Sequence, residues 1–209
     1  FVFGQTSRPV DIVWVIDQSG SMSQEIAGVR NNMNYFASQI AKAKVDYRVT
    51  VLAARYNDKD NHEVCIPQPL AGANCKDGPR FKQIDQHIES HDALTRIVQY
   101  INTIEGFMRK NSLRQIVEIT DDRSSPITGQ QFHSWIKARP GYSDYVFHSI
   151  VGMYSGGCVA SVGQQYIDLS NLTKGMKFHI CSANWSSLFQ QLGKSVAGTA
   201  TSQFPLSKT

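Results

Sequence analysis

The segment Val10–Ile16 constrains the fold of this chain more than any other. It reads Val-Asp-Ile-Val-Trp-Val-Ile, which is rich in β-branched and aromatic side chains and almost continuously apolar. A strand with one face in water would alternate apolar and polar residues, whereas a nearly unbroken apolar strand is typical of one that is buried on both faces. The sequence therefore predicts a central strand of a parallel sheet.

The rest of the chain alternates between helix and strand patterns. Behind the first strand, apolar residues recur at helical spacing from Ile26 to Ile40, which predicts an amphipathic helix. Further strands are predicted at residues 47–54, 115–120, 145–153 and 177–181, with helical patterns around them. We expect an α/β fold, a three-layer Rossmann-like domain with a mostly parallel central sheet and helices on both faces.

One domain accounts for most of the 209 residues. We place it at residues 8–198 and expect residues 199–209, which lose all periodicity, to be a linker toward a further domain. The stretch 56–80 is irregular and longer than most loops of compact domains. We therefore expect it either to be held by a disulfide or to have a function.

Charge and hydropathy exclude two classes of partner. The net charge is +4, and the basic residues are scattered singly, so nucleic acid is not an expected partner. The longest apolar run, residues 12–16, is far shorter than the roughly 20 residues of a membrane-spanning helix. We expect no transmembrane segment in this chain.

The four cysteines form two locally spaced pairs, Cys65 with Cys75 and Cys158 with Cys181, and no Cys-x-x-Cys motif occurs. A zinc site or a thioredoxin-type motif is therefore disfavoured. Three disulfide connectivities are open. The local one would close a Pro/Gly/Asn-rich loop and stabilise it by about 3 kcal/mol. We favour the local pairing and an oxidising compartment over four free buried thiols.

Polar residues follow two of the predicted strands. Asp17-Gln18-Ser19-Gly20-Ser21 follows the first, and Asp121-Asp122 follows the strand at 115–120. Parallel sheets bind ligands beyond the carboxyl ends of their strands, and carboxylate and hydroxyl oxygens are the ligands of hard cations. Asp17-x-Ser-x-Ser read alone could be a helix N-cap, but Asp121 at the same edge favours a metal site. Asp122 is interpreted as a turn residue or as a carboxylate that supports the ligands, rather than as a ligand.

These motifs resemble the von Willebrand factor A domain with its metal-ion-dependent adhesion site, the group that includes the integrin inserted domains, over residues 8–198. The resemblance implies Mg²⁺ or Mn²⁺, with Ca²⁺ as a third option, held by Asp17, Ser19, Ser21 and Asp121 directly or through water. The family's fifth ligand, usually a threonine, has no clean match. Ser90 is favoured for it, and Asp92 is the alternative.

The resemblance also implies a function in cell adhesion rather than catalysis. The partner would be a protein, extracellular-matrix or surface ligand that offers an exposed Asp or Glu to the metal, and the domain would be extracellular or on a cell surface. The sequence Ser-His-Asp-Ala-Leu at 90–94 resembles secreted bacterial members of the family, which indicates a bacterial adhesin. The alternatives are a metal-assisted hydrolase using the same carboxylates, with Asp92 or His91 as base, or a structural module docking within its own protein.

One further motif does not match its catalytic template. His87-Ile88-Glu89-Ser90-His91 places the glutamate in the middle, unlike either zincin pattern. The sequence gives this segment no catalytic assignment. His148, which alternates with apolar neighbours, is interpreted as a packing residue.

Overall fold

Six parallel strands form the centre of the protein in a computed structural model, which describes residues 8–56 and 58–202. In chain order the elements are β1 (Val10–Ile16), α1 (Ser23–Lys42), β2 (Tyr47–Leu52), β3 (Phe81–Ile84), α2 (Ala93–Glu105), β4 (Leu113–Thr120), α3 (Gly129–Lys137), β5 (Val146–Val151), α4 (Gln164–Thr173), β6 (Lys177–His179) and α5 (Trp185–Ser202). The strand order is β3-β2-β1-β4-β5-β6, and every pairing is parallel. The predicted α/β fold with a parallel sheet is confirmed.

The two faces of the sheet bury separate apolar clusters. Alternate residues of β1 serve both: Ile12 and Trp14 face α1 and α5, while Val13 faces α2, α3 and α4. Trp14 stacks on Phe189 of α5 with 5.1 Å between ring centroids and meets the edge of Phe36 of α1 at 5.0 Å. Burial on both faces explains why β1 is almost continuously apolar.

The structure differs from the sequence prediction at an edge strand. The prediction missed β3, which pairs with β2 from Val49 opposite Phe81 to Leu52 opposite Ile84. It is four residues long and reads Phe-Lys-Gln-Ile, so it shows neither an apolar run nor an alternation that would stand out beside the irregular loop before it.

The last helix is longer than expected. It extends to Ser202, four residues past the expected domain boundary at 198. Ala200 is buried, and the side-chain N–H of Gln115 donates to the Thr199 hydroxyl at 2.6 Å, which ties this turn to the sheet. Residues 203–209 of the expected linker lie outside the described residues. None of the described helices is both long enough and apolar enough to cross a lipid bilayer.

His148 is held neutral in the interior of the sheet, as a packing residue should be. Its Nδ1 accepts the backbone N–H of Met176 at 3.0 Å, so its Nε2 carries the proton and donates to the Gln115 side-chain carbonyl at 2.8 Å. Burial lowers the pKa of His148 to about 3. The imidazole therefore stays uncharged over the whole physiological range.

Acidification is expected to destabilise the protein through this group. An unfolded histidine takes up a proton near pH 6.5, whereas folded His148 does so only near pH 3, so its contribution to stability falls as the pH decreases between these values. Urea unfolding should show that the wild type loses about 2–3 kcal/mol more unfolding free energy than His148→Asn does when the pH falls from about 6.5 to about 4.5. A difference independent of pH would contradict this assignment.

Candidate metal centre

The predicted ligands Asp17 and Asp121 meet at the point where the strand order reverses. Asp17 follows β1, Asp121 follows β4, and these strands are neighbours in the middle of the sheet. The chain leaves β1 for α1 on one face and leaves β4 for α3 on the other, which opens a crevice between them. The backbone N–H of Asp17 donates to the Ile119 carbonyl at 3.0 Å and fixes the two loops against each other.

The Asp17 carboxylate is fully buried and oriented from both strands. One oxygen accepts the Ser19 backbone N–H at 2.8 Å, and the other accepts the Thr120 hydroxyl at 2.6 Å. Helix α1 begins only after this turn; its N-cap is Met22, and no side chain caps it. The side-chain oxygens of the Asp17-x-Ser-x-Ser motif therefore do not cap helix α1.

The Asp121 carboxylate is buried beside this turn, and neither of its oxygens has a hydrogen-bond partner among the described residues. The Ser19 hydroxyl is likewise buried without a well-directed hydrogen bond in the described part of the chain, although it lies close enough to Asp17 to lower the pKa of that carboxyl. Ser21 lies close enough to Asp121 for its hydroxyl to lower the carboxyl pKa, without completing a well-directed hydrogen bond. The structure thus brings four of the predicted ligands together, and both Asp121 oxygens have no hydrogen-bond partner among the described residues.

Electrostatics at the site favour a cation. Burial raises the pKa of Asp17 to about 6, with a further contribution from the charge of Asp121. Burial also raises the pKa of Asp121. Neither carboxylate forms an ion pair with any basic residue that the structure describes. A bound cation would supply the compensating charge that the protein does not.

The two candidates for the fifth ligand differ in their surroundings. Asp92 accepts the Glu89 backbone N–H at 2.9 Å with one oxygen and pairs with Arg96 at 2.6 Å with the other. Ser90 is partly exposed on a loop that touches the first turn, because the carbonyl of Ile88 accepts the backbone N–H of Gln18 at 2.9 Å. These contacts favour Ser90 over Asp92 as the fifth ligand.

A disulfide-bonded loop forms one wall of the site. Cys158 is bonded to Cys181, and the Asp121 carbonyl accepts the backbone N–H groups of Ala160 and Ser161 at 2.9 and 3.1 Å. The resulting cleft has a volume of about 360 Å³, and Ser21, Asp121 and Cys158 are among its lining residues.

Both local cysteine pairs are bonded as predicted, with Cα–Cα distances of 5.3 Å for Cys65–Cys75 and 5.6 Å for Cys158–Cys181. Asp122 acts as a turn residue, since it accepts the Ser161 hydroxyl and its backbone N–H donates to Thr120 at 3.0 Å. The disulfides indicate an oxidising compartment.

Sequence reasoning missed a second group of ligating side chains. Metal-ligating atoms of Asp58, Asp60 and His87 all lie within 4.8 Å of one another, which makes the group a possible metal site. Its members come from two irregular loops, so their proximity depends on tertiary structure. The only signal in the sequence was the His87-x-Glu89 pair, which matches no catalytic template.

Comparison with known proteins gives no assignment: no family model matches the chain, and no curated protein matches it. The function is therefore inferred from the residues at the two sites and from the parallel α/β fold.

Proposed function

We propose that this protein is a metal-dependent binding module of the von Willebrand factor A type, in which Mg²⁺ or Mn²⁺ accepts an acidic residue of a protein partner. Asp17, Ser19, Ser21, Ser90 and Asp121 would hold the cation. The observation that carries the proposal is the convergence of buried carboxylate and hydroxyl oxygens at the strand-order switch point, with both Asp121 oxygens unpartnered among the described residues.

The ligand set fits a hard divalent cation. All its donor atoms are oxygens, which Mg²⁺ and Mn²⁺ prefer, and it contains only two carboxylates. Both oxygens of Asp17 already accept hydrogen bonds, which supports a contact of Asp17 with the cation through water. When bound, the cation supplies an open coordination position that attracts an anionic oxygen more strongly than a neutral carbonyl.

Binding is favoured over hydrolysis by the state of the candidate bases. A metal-assisted hydrolase needs a group free to take a proton from water. Asp92 is paired with Arg96, which withdraws it from that role. His91 is directed at the loop after β4, where its Nδ1 contacts the Arg123 carbonyl at 3.0 Å. We assign the site to recognition. The disulfides support a secreted or cell-surface location, and we extend the proposal to adhesion there.

Thermal unfolding tests the metal site. Excess Mg²⁺ or Mn²⁺ over EDTA should raise the melting temperature of wild type, since a cation at 100 times its Kd stabilises the folded state by about 2.7 kcal/mol. Asp121→Ala should abolish the rise. Asp168→Ala is the matched control, because Asp168 lies on α4, contacts Gln164 at 2.8 Å and should leave the rise intact. A wild-type melting temperature that does not change in millimolar Mg²⁺ or Mn²⁺ would refute the proposal.

A further inference from the structure

The loops after β2 and after β3 orient a histidine in an unusual way. His87 contacts a carboxylate oxygen of Asp58 through Nδ1, and the Asp58 side chain is fully buried. The other Asp58 oxygen accepts the backbone N–H groups of Asp60 and His62, each at 3.1 Å. Asp58 is thus a fixed acceptor that holds the proton on Nδ1 and leaves the Nε2 lone pair directed away from it.

The Nε2 atom of His87 is buried and has no hydrogen-bond partner in the part of the chain that the structure describes. It faces two carboxylate oxygens, at 3.6 Å from Glu89 and 3.8 Å from Asp60. These separations are too long for hydrogen bonds. They are close to the spacing of about 3.4 Å between ligand atoms around a tetrahedral metal with bonds of about 2.0–2.1 Å.

The charges of this cluster are unbalanced. Asp58, Asp60 and Glu89 contribute three carboxylates. Against them stand Lys59, which pairs with Glu89, and the one charge that His87 carries when its Nε2 is protonated, so negative charge remains in either state. Nearby Arg96 is already paired with Asp92. A divalent ion would neutralise the remainder, and it can enter through an open cleft of about 500 Å³ that Asp58, His87 and Glu89 help to line.

We propose that His87 Nε2 and Asp60 bind a second divalent cation, of the zinc type, that Glu89 completes the ligand set by turning its half-exposed side chain toward the ion, and that Asp58 is the positioning residue behind the imidazole. A nitrogen ligand held by a carboxylate on its other nitrogen is the arrangement that zinc sites use, and Mg²⁺ disfavours it. Three protein ligands leave a fourth position for water. The second site includes a nitrogen ligand, whereas the first has oxygen ligands only. The two sites should therefore prefer different metals.

The second cation would brace the first site. Glu89 directly precedes Ser90, and His62, which Asp58 holds, contacts the Ser19 carbonyl through Nδ1 at 2.8 Å. The Gln18 side chain also donates to the His62 carbonyl at 2.7 Å. A metal at His87 therefore fixes both loops that flank Asp17.

Titration of the whole protein with Zn²⁺, and with Co²⁺ as a spectroscopic probe, tests this site. Wild type should bind one Co²⁺ with the intense visible absorption of tetrahedral coordination. His87→Ala and the milder Glu89→Gln, at a half-exposed position, should weaken binding by more than about 100-fold. Asp58→Asn should weaken it by about 10- to 100-fold and keep one ion per chain, as a positioning role requires.

Two controls separate this site from the first. His133→Ala removes a histidine of α3 that contacts the Tyr145 hydroxyl at 2.9 Å, and it should bind Co²⁺ like wild type. Asp121→Ala should lose the Mg²⁺ response but keep the Co²⁺ spectrum, while Glu89→Gln should do the reverse. No tetrahedral spectrum in wild type, or one that survives both His87→Ala and Glu89→Gln, would overturn the second site and leave the first untouched.

Discussion

Every peptide that this protein captures through its metal is expected to carry an aspartate or glutamate at the contact. Because a carboxylate is the best replacement for water on a partly neutralised hard cation, changing that residue to its amide should lower affinity by about 100-fold or more. The measurement is selection from a random peptide library on the immobilised protein in Mg²⁺ or Mn²⁺, with elution by EDTA. Affinities of the eluted peptides and of their amide variants are then compared.

The same peptides define the role of the domain residues. Ser19→Ala removes a buried hydroxyl that makes no well-directed hydrogen bond in the described chain, so it should lose peptide binding, whereas Asp168→Ala should keep it. Peptides that remain bound in EDTA, or that bind equally well as amides, would mean that recognition lies elsewhere and that the cation only stabilises the fold.

Replacing Glu118 by leucine is expected to stabilise the protein strongly. Glu118 is fully buried in β4, and neither of its carboxylate oxygens has a partner among the described residues. Burial, with the charges of Asp17 and Asp92, raises its pKa well above the ordinary value. Its side chain shares the face of β4 with Ile116 of the apolar cluster, so leucine should pack there and add about 1–4 kcal/mol to the unfolding free energy.

The pH dependence of this gain checks the cause. A carboxyl whose pKa is raised in the folded state costs stability above its unfolded pKa, and the cost disappears as the pH falls toward that value. Urea unfolding of Glu118→Leu and wild type should therefore differ most at neutral pH and least near about pH 4.5. Since Glu118 is not among the proposed ligands, the Mg²⁺ response should persist. A destabilised variant would show that the carboxyl makes a favourable interaction.

The sequence could predict the centre of the sheet and the proximity of Asp17 and Asp121 for the same reason. A strand buried on both faces has a strong pattern, and the carboxyl ends of parallel strands share one edge, so Asp17 and Asp121 could be placed together across about a hundred residues of chain. The weak elements were missed: β3 is only four residues long with two polar residues at its centre, and the end of α5 has alanine and threonine instead of large apolar residues.

The second cluster could not be predicted because buried amides, rather than a periodic pattern, shape its loops. Gln83 donates to the carbonyls of Ala53 and Val64, and Gln18 donates to those of Ala54 and His62. Such contacts fix irregular backbone without leaving a signal in the local sequence. The proximity of Asp58 and His87 becomes visible only in three dimensions.

Anomalous diffraction from crystals grown with Mn²⁺ would show whether a cation binds at the first site. We expect a peak at the carboxyl edge between β1 and β4, with oxygen ligands at about 2.2 Å or through one water from Asp17, Ser19, Ser21 and Asp121. A carboxylate or water should complete the coordination. Crystals with no peak at this edge, or with Mn²⁺ only beside His87, would contradict the proposed metal-dependent function.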